Sequence, residues 1–130
     1  MMFASHVGVE IVADALVSKD RTLNQALFNE ELGAVIQVAR GRAAEVERDF
    51  EAAGMGWSLK YLGNLTQDDH LNIYLEGKCV LSEDRVDLQK AWNEVSWQIA
   101  RMRDNPECAD SEYALISDKQ QRRLSADDGL

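Results

Sequence analysis

Asp68-Asp69-His70 puts two carboxylates and an imidazole in consecutive positions, a donor set of the kind that can hold a divalent cation. Neither His70 nor the other histidine, His6, has a partner elsewhere at zinc-ligand spacing. The triplet therefore reads as a solvated loop ahead of Leu71, binding a cation weakly at most. Glu30-Glu31 is the second pair. It is expected at the end of a short helix, where the macrodipole is unfavourable to acids. Such a carboxylate could be presented to a ligand or to Mg²⁺; the expectation is instead that Glu31 bonds local backbone or a cationic neighbour while Glu30 faces water. Arg103 could bind an anion, but Arg103-Asp104-Asn105-Pro106 reads as an ordered helix exit in which Asp104 or Asn105 bonds backbone amides and Pro106 fixes φ. Cys79 and Cys108 read as two reduced thiols. No Gly-x-Ser-x-Gly, Gly-x-Gly-x-x-Gly or Gly-x-x-x-x-Gly-Lys occurs, and Gly54-Met55-Gly56 is a loop pair with no bearing on nucleotides. No catalytic, cofactor-binding or metal residue is assigned.

The elements that would position these groups fit in one domain's length. The chain has 130 residues, 45% of them hydrophobic, with one proline, ordinary for a globular α+β domain. A net charge of −9 argues against nucleic acid, whose affinity comes from Lys and Arg neutralising phosphates, and against anionic membranes. No apolar run approaches the roughly 20 residues needed to cross a bilayer, and Met1-Met2-Phe3-Ala4 lacks the basic start and long apolar stretch of a secretory signal. A cytoplasmic location is expected.

Val7, Val9, Ile11 and Ala13 alternate, which predicts a half-buried strand. Thr22 can cap a short helix burying Leu23, Ala26 and Leu27, with Gly33 as its stop. The β-branched run at 34–39 predicts a central strand covered on both faces. Ala43, Val46, Phe50 and Ala53 predict an amphipathic helix closed by Gly54. Trp57, Leu59 and Tyr61 share a face of a third strand, and Leu71, Ile73 and Leu75 of a fourth, which turns at Glu76-Gly77-Lys78 into Cys79-Val80-Leu81. A long helix capped by Ser82 should bury Leu88, Trp92, Val95, Ile99 and Met102, a continuous apolar stripe that Pro106 ends. The order β-α-β-α-β-β-β-α predicts an α+β fold, helices packed on a mostly antiparallel sheet and related to the ferredoxin-like plait. The body should span residues 1–108, with 109–130 a polar tether carrying one anchoring turn.

Two runs carry a resemblance. They are Leu27-Phe28-Asn29-Glu30-Glu31-Leu32-Gly33-Ala34-Val35-Ile36-Gln37-Val38, and Trp92-Asn93-Glu94-Val95-Ser96-Trp97 leading to Arg101-Met102-Arg103-Asp104-Asn105-Pro106-Glu107-Cys108-Ala109-Asp110. Together the chain resembles the large, single-chain phosphoribosylformylglycinamidine synthase, from Met1 to about Glu112. That enzyme is the ATP- and glutamine-dependent ligase of purine biosynthesis, and it is far longer than this chain.

The resemblance implies the C-terminal subdomain of the second synthetase half, in the aminoimidazole ribonucleotide synthetase-like superfamily. Residues 109–130 would then lead toward a glutaminase domain. The implied parent reaction converts formylglycinamide ribonucleotide to its amidine: ATP activates the amide oxygen and ammonia released from glutamine displaces the phosphate. The family's Asp-Leu-Ser-Asp-Gly-Gly segment, with contacts to Mg²⁺ and nucleotide, would fall ahead of Met1, and the glutaminase Cys-His-Glu triad beyond Leu130. Neither Cys79 nor Cys108 matches that triad. ATP and Mg²⁺ are thus implied for the parent, and this segment is expected to be scaffold, inactive alone, whose partners are the other synthetase and glutaminase domains. An isolated piece would expose apolar surface and self-associate or be poorly stable. The alternative is a free-standing α+β interaction or ligand-sensing module without catalysis.

Overall fold

The computed structural model describes residues 2–118. It divides into two compact units: residues up to Val12 together with those from Gly63 onward, and Ala13–Leu62.

The first unit is α+β, built on a four-stranded mixed sheet. A short α1 (Met2–Ser5) leads into β1 (Gly8–Val12); β2 (Gly63–Thr66), β3 (His70–Leu75) and β4 (Lys78–Asp84) follow after the second unit. The sheet order is β2-β1-β3-β4. β1 pairs antiparallel with β2 and parallel with β3, and β3 pairs antiparallel with β4. The register aligns Val9 with Leu65 and Leu71, and Ile11 with Ile73, so these apolar side chains share one face. Ile73, at the centre, is 4% exposed. Glu76 and Gly77 both have positive φ, the backbone of a two-residue turn whose twist suits a hairpin, and Leu75 pairs with Lys78 across it.

Because β2 and β3 flank β1, residues 67–69 must cross over the start of β1, at Gly8. A Cβ on Gly8 would collide with Asp68 Oδ1 and come within 2.8 Å of the His70 carbonyl oxygen. Only glycine leaves room for that crossing.

Two helices complete this unit. α4 (Arg85–Arg103) is capped by Asp84, whose carboxylate accepts from Val86 N at 2.7 Å. The cap is thus Asp84 and not Ser82, because β4 runs through Ser82 to Asp84. Pro106 does follow the end of α4, but it also opens α5 (Pro106–Leu115), since its missing N–H is one the first helical turn cannot bond anyway. Asn105 caps α5. Residues 109–115, expected as the start of a polar tether, are therefore helix; those from 119 onward lie outside the described residues.

The α4–α5 contact is built from polar-edged aromatics. Trp97 and Tyr113 stack at 4.3 Å with planes 10° apart. Arg101 lies 5.2 Å over the Trp97 ring. Asp110 accepts from Trp97 Nε1 at 2.9 Å and pairs with Arg101 at 2.8 Å. The expected stripe is on another side of α4; Leu88, at its start, is half-buried, but the rest is not core: Trp92 is 78%, Val95 69%, Ile99 50% and Met102 80% exposed.

The second unit contains α2 (Leu23–Leu27) and α3 (Ala43–Ala52). Thr22 caps α2 as expected, in a reciprocal box with Gln25. The helix stops at Phe28, well before Gly33. α3 closes with Gly54 at positive φ, its N–H bonded to the Glu51 carbonyl and Met55 N–H to that of Phe50, a Schellman arrangement. The strand expected at 34–39 does not form, and 56–58 is a 3₁₀ turn in place of a third strand. A β-branched run becomes a strand only when another backbone lies alongside to complete the ladder. Among the described residues of this unit no named strand does so, and Val35 and Ile36 are exposed.

Candidate functional site

The sequence motif with the most chemistry, Asp68-Asp69-His70, sits in the loop that crosses Gly8. Its three side chains do not converge on a common point. The Asp68 carboxylate accepts from Thr66 Oγ1 at 2.5 Å, from Asn72 Nδ2 at 3.0 Å and from His70 N at 3.3 Å. Asn72 Oδ1 in turn accepts from Ser82 Oγ at 2.7 Å, so one polar chain runs from the loop across β3 to β4. The Thr66 bond, foremost, holds the Asp68 carboxyl below the ordinary aspartate range; desolvation opposes it, and the bonds from His70 N and Asn72 add to the lowering.

Asp69 takes a different partner. At positive φ it turns its side chain to Arg85, pairing with Nε at 2.5 Å, while its backbone oxygen accepts from Arg85 N at 3.0 Å. Arg85 Nη1 donates to Gln89 Oε1 at 2.7 Å. Arg85 is 1% exposed, the one fully buried large side chain among the described residues. The imidazole of His70 is directed back to the Asp68 carbonyl oxygen, Nδ1 to O 2.7 Å. That bond raises the His70 pKa, and the Asp84, Asp68 and Asp69 carboxylates add to it while desolvation opposes.

Chemically this is a hydrogen-bonded brace. Each acid is already engaged by a neighbouring donor, a poor fit to Mg²⁺, which needs oxygen ligands free to complete an octahedron. Among the described residues no three of His, Cys, Asp and Glu are grouped as metal ligands.

The remaining sequence-nominated groups lie apart from it. Glu31 pairs with Arg21 at 3.0 Å, and its N–H bonds Asn29 Oδ1; because α2 ends at Leu27, Glu30 and Glu31 stand beyond the helix rather than on its last turn. Arg103 forms a two-point contact with its neighbour Asp104, at 3.0 and 2.7 Å. Cys79 and Cys108 are exposed and free, Cys79 on β4 and Cys108 within α5. His6 closes α1, its N–H bonded to the Met2 carbonyl.

Arg85 and the Trp97–Tyr113 stack were not singled out from sequence. Nothing local marks an arginine at a helix start as buried; its partner Asp69 is 16 residues away. Between α4 and α5 an open groove of about 500 Å³ is lined by Asn93, Ser96, Trp97, Ala100, Glu112 and Ile116 among others. Its aromatic pair is stacked on itself, so the facing sides of the two rings are not free to receive a planar ligand. No helix among the described residues is long and apolar enough to cross a membrane. No protein-family model matches the chain.

Proposed function

We propose that this chain is a scaffold segment of a phosphoribosylformylglycinamidine synthase, from the C-terminal subdomain of its second synthetase half. On this proposal it works in the cytoplasm as part of the ATP- and glutamine-dependent ligase, and performs no chemistry by itself. One observation carries the proposal. The first of the two runs that resemble the family, Leu27 to Val38, includes most of the 34–39 stretch expected as a strand covered on both faces, yet Phe28 is 82%, Leu32 105%, Val35 68% and Ile36 55% exposed. Apolar side chains in such a run are what a neighbouring domain would cover.

The sites of the described residues support a structural role. Asp68, Asp69 and Arg85 brace a loop, and Glu31 and Arg103 are engaged by nearby charges. On this proposal ATP, Mg²⁺ and glutamine are handled by other parts of the parent.

The test is the DNA flanking the Met1 and Leu130 codons. An open frame encoding Asp-x-Ser-Asp-Gly-Gly upstream and a cysteine glutaminase downstream is the expected result. In-frame stops on both sides would overturn it and leave the free-standing interaction module as the better account.

A further inference from the structure

We propose that residues 13–62 are an opening unit, which unfolds and refolds while the four-stranded sheet stays formed. This does not rest on the synthase proposal; it concerns the chain itself.

The sheet is complete without them. The chain leaves β1 at Val12 and enters β2 at Gly63, and Ile11 is the register partner of Gly63. Exit and return are thus neighbours at one end of the β1–β2 pair. That end is closed by a glycine whose Cβ would collide with the Glu10 carbonyl oxygen. Every rung joining β1, β2, β3 and β4 lies outside 13–62. Opening those residues therefore breaks no strand pair.

Their own packing is thin. Ala13 is the one buried residue of this unit, while Phe28, Trp57 and Tyr61 are 82%, 79% and 67% exposed. Fixing the backbone of one residue costs roughly 1–2 kcal/mol, and a large apolar side chain returns about 1.5–3 kcal/mol only when fully buried. α2 has 5 residues and α3 has 10, both short of the roughly 12–15 at which an isolated helix is marginal. The Thr22 box and the Gly54 closure satisfy helix ends but bury nothing. In the sheet unit, by contrast, Ile73 and Arg85 are buried, the latter held by Asp69 and Gln89. Local opening free energy follows this density of buried contact. The unit that opens is also the one that carries Phe28, Leu32, Val35 and Ile36, so these side chains can be rearranged without cost to the sheet.

Residue-resolved amide hydrogen exchange of the full chain reads this directly. At the end of α3, the Ala53 and Met55 amides are bonded to the Asp49 and Phe50 carbonyls. After correction for intrinsic rates, they should exchange roughly a hundredfold or more faster than the paired amides of β1 and β3. Gly54→Ala, strained by the positive φ at that position, should speed α3 exchange about fivefold and leave β1 and β3 unchanged. Gly8→Ala, in the sheet, should do the reverse. Equal protection of α3 and β3 in the unaltered chain would overturn the proposal. So would either substitution speeding exchange in both units alike.

Discussion

Arg85 and Trp92 lie seven residues apart on α4, two turns along the same side of the helix, yet Arg85 is 1% exposed and Trp92 78%. Ordinary transfer energetics would reverse them: an isolated charge is costly to bury and an indole favourable to bury. The difference is in what stands opposite. Across from Arg85 the β2–β3 loop supplies Asp69, its backbone oxygen accepts from the Arg85 N–H, and Gln89 takes another guanidinium proton. Among the described residues no comparable cover shields Trp92. Burial along one helix face is thus decided by the neighbouring element and not by the residue, and a buried polar brace can share a helix with an exposed apolar stripe.

The largest effect should come from breaking the brace on the acid side. Asp69→Gly keeps a backbone that tolerates positive φ but strands a buried guanidinium, and should cost about 3 kcal/mol in urea unfolding. Arg85→Met, which removes the charge and keeps the bulk, should cost clearly less; the reverse ranking would mean that the brace is not what buries Arg85. Gly8→Ala comes next. Its Cβ meets Thr66 Oγ1, Asp68 Oδ1 and the His70 carbonyl oxygen, and the backbone oxygen cannot swing aside, so a loss of about 2 kcal/mol is expected. Asp84→Ala removes the α4 cap and should cost about 1 kcal/mol.

Smaller still is the effect of pH. Asp68 has a lowered pKa in the folded state, so its contribution is present above the ordinary aspartate value and fades as pH falls through the lowered one. His70 is raised, so its contribution is complete below its unfolded value and fades as pH rises through the raised one. Stability from this pair should therefore be greatest between the two ranges. A nuclear magnetic resonance titration placing His70 at or below a model histidine would contradict the geometry of its ring. Smallest should be the effect of Trp92→Gln or Val95→Lys on unfolding of the monomer, within about 0.5 kcal/mol as for exposed sites generally. A loss of several kcal/mol there would erase the contrast between the two regions.

Some of this was legible in local sequence. The Thr22 cap, the Gly54 closure, the turn at Glu76-Gly77 and the long helix ending before Pro106 all follow from interactions within a few residues. The engagement of Glu31 by a cationic neighbour also matches expectation. The second role of Pro106, as the first residue of α5, was missed, though an Asn-Pro pair followed by Glu107 is a helix-start signal as well as a stop. The strand at 34–39 and the burial of the α4 stripe were expected from composition and spacing, and neither holds. Periodicity says which side of an element is apolar. It does not say what will lie against that side.

The sequence by itself thus determined the Thr22 cap, the Gly54 closure, the turn at Glu76-Gly77 and the end of the long helix, because their hydrogen bonds close between residues two to five positions apart. Tertiary structure decided the rest: the β2-β1-β3-β4 order, the crossing at Gly8, the pairing of Asp69 with Arg85 and the bare face of α4. Each depends on segments distant in the chain meeting in space, and whether an apolar or charged side chain is covered is settled only when they do.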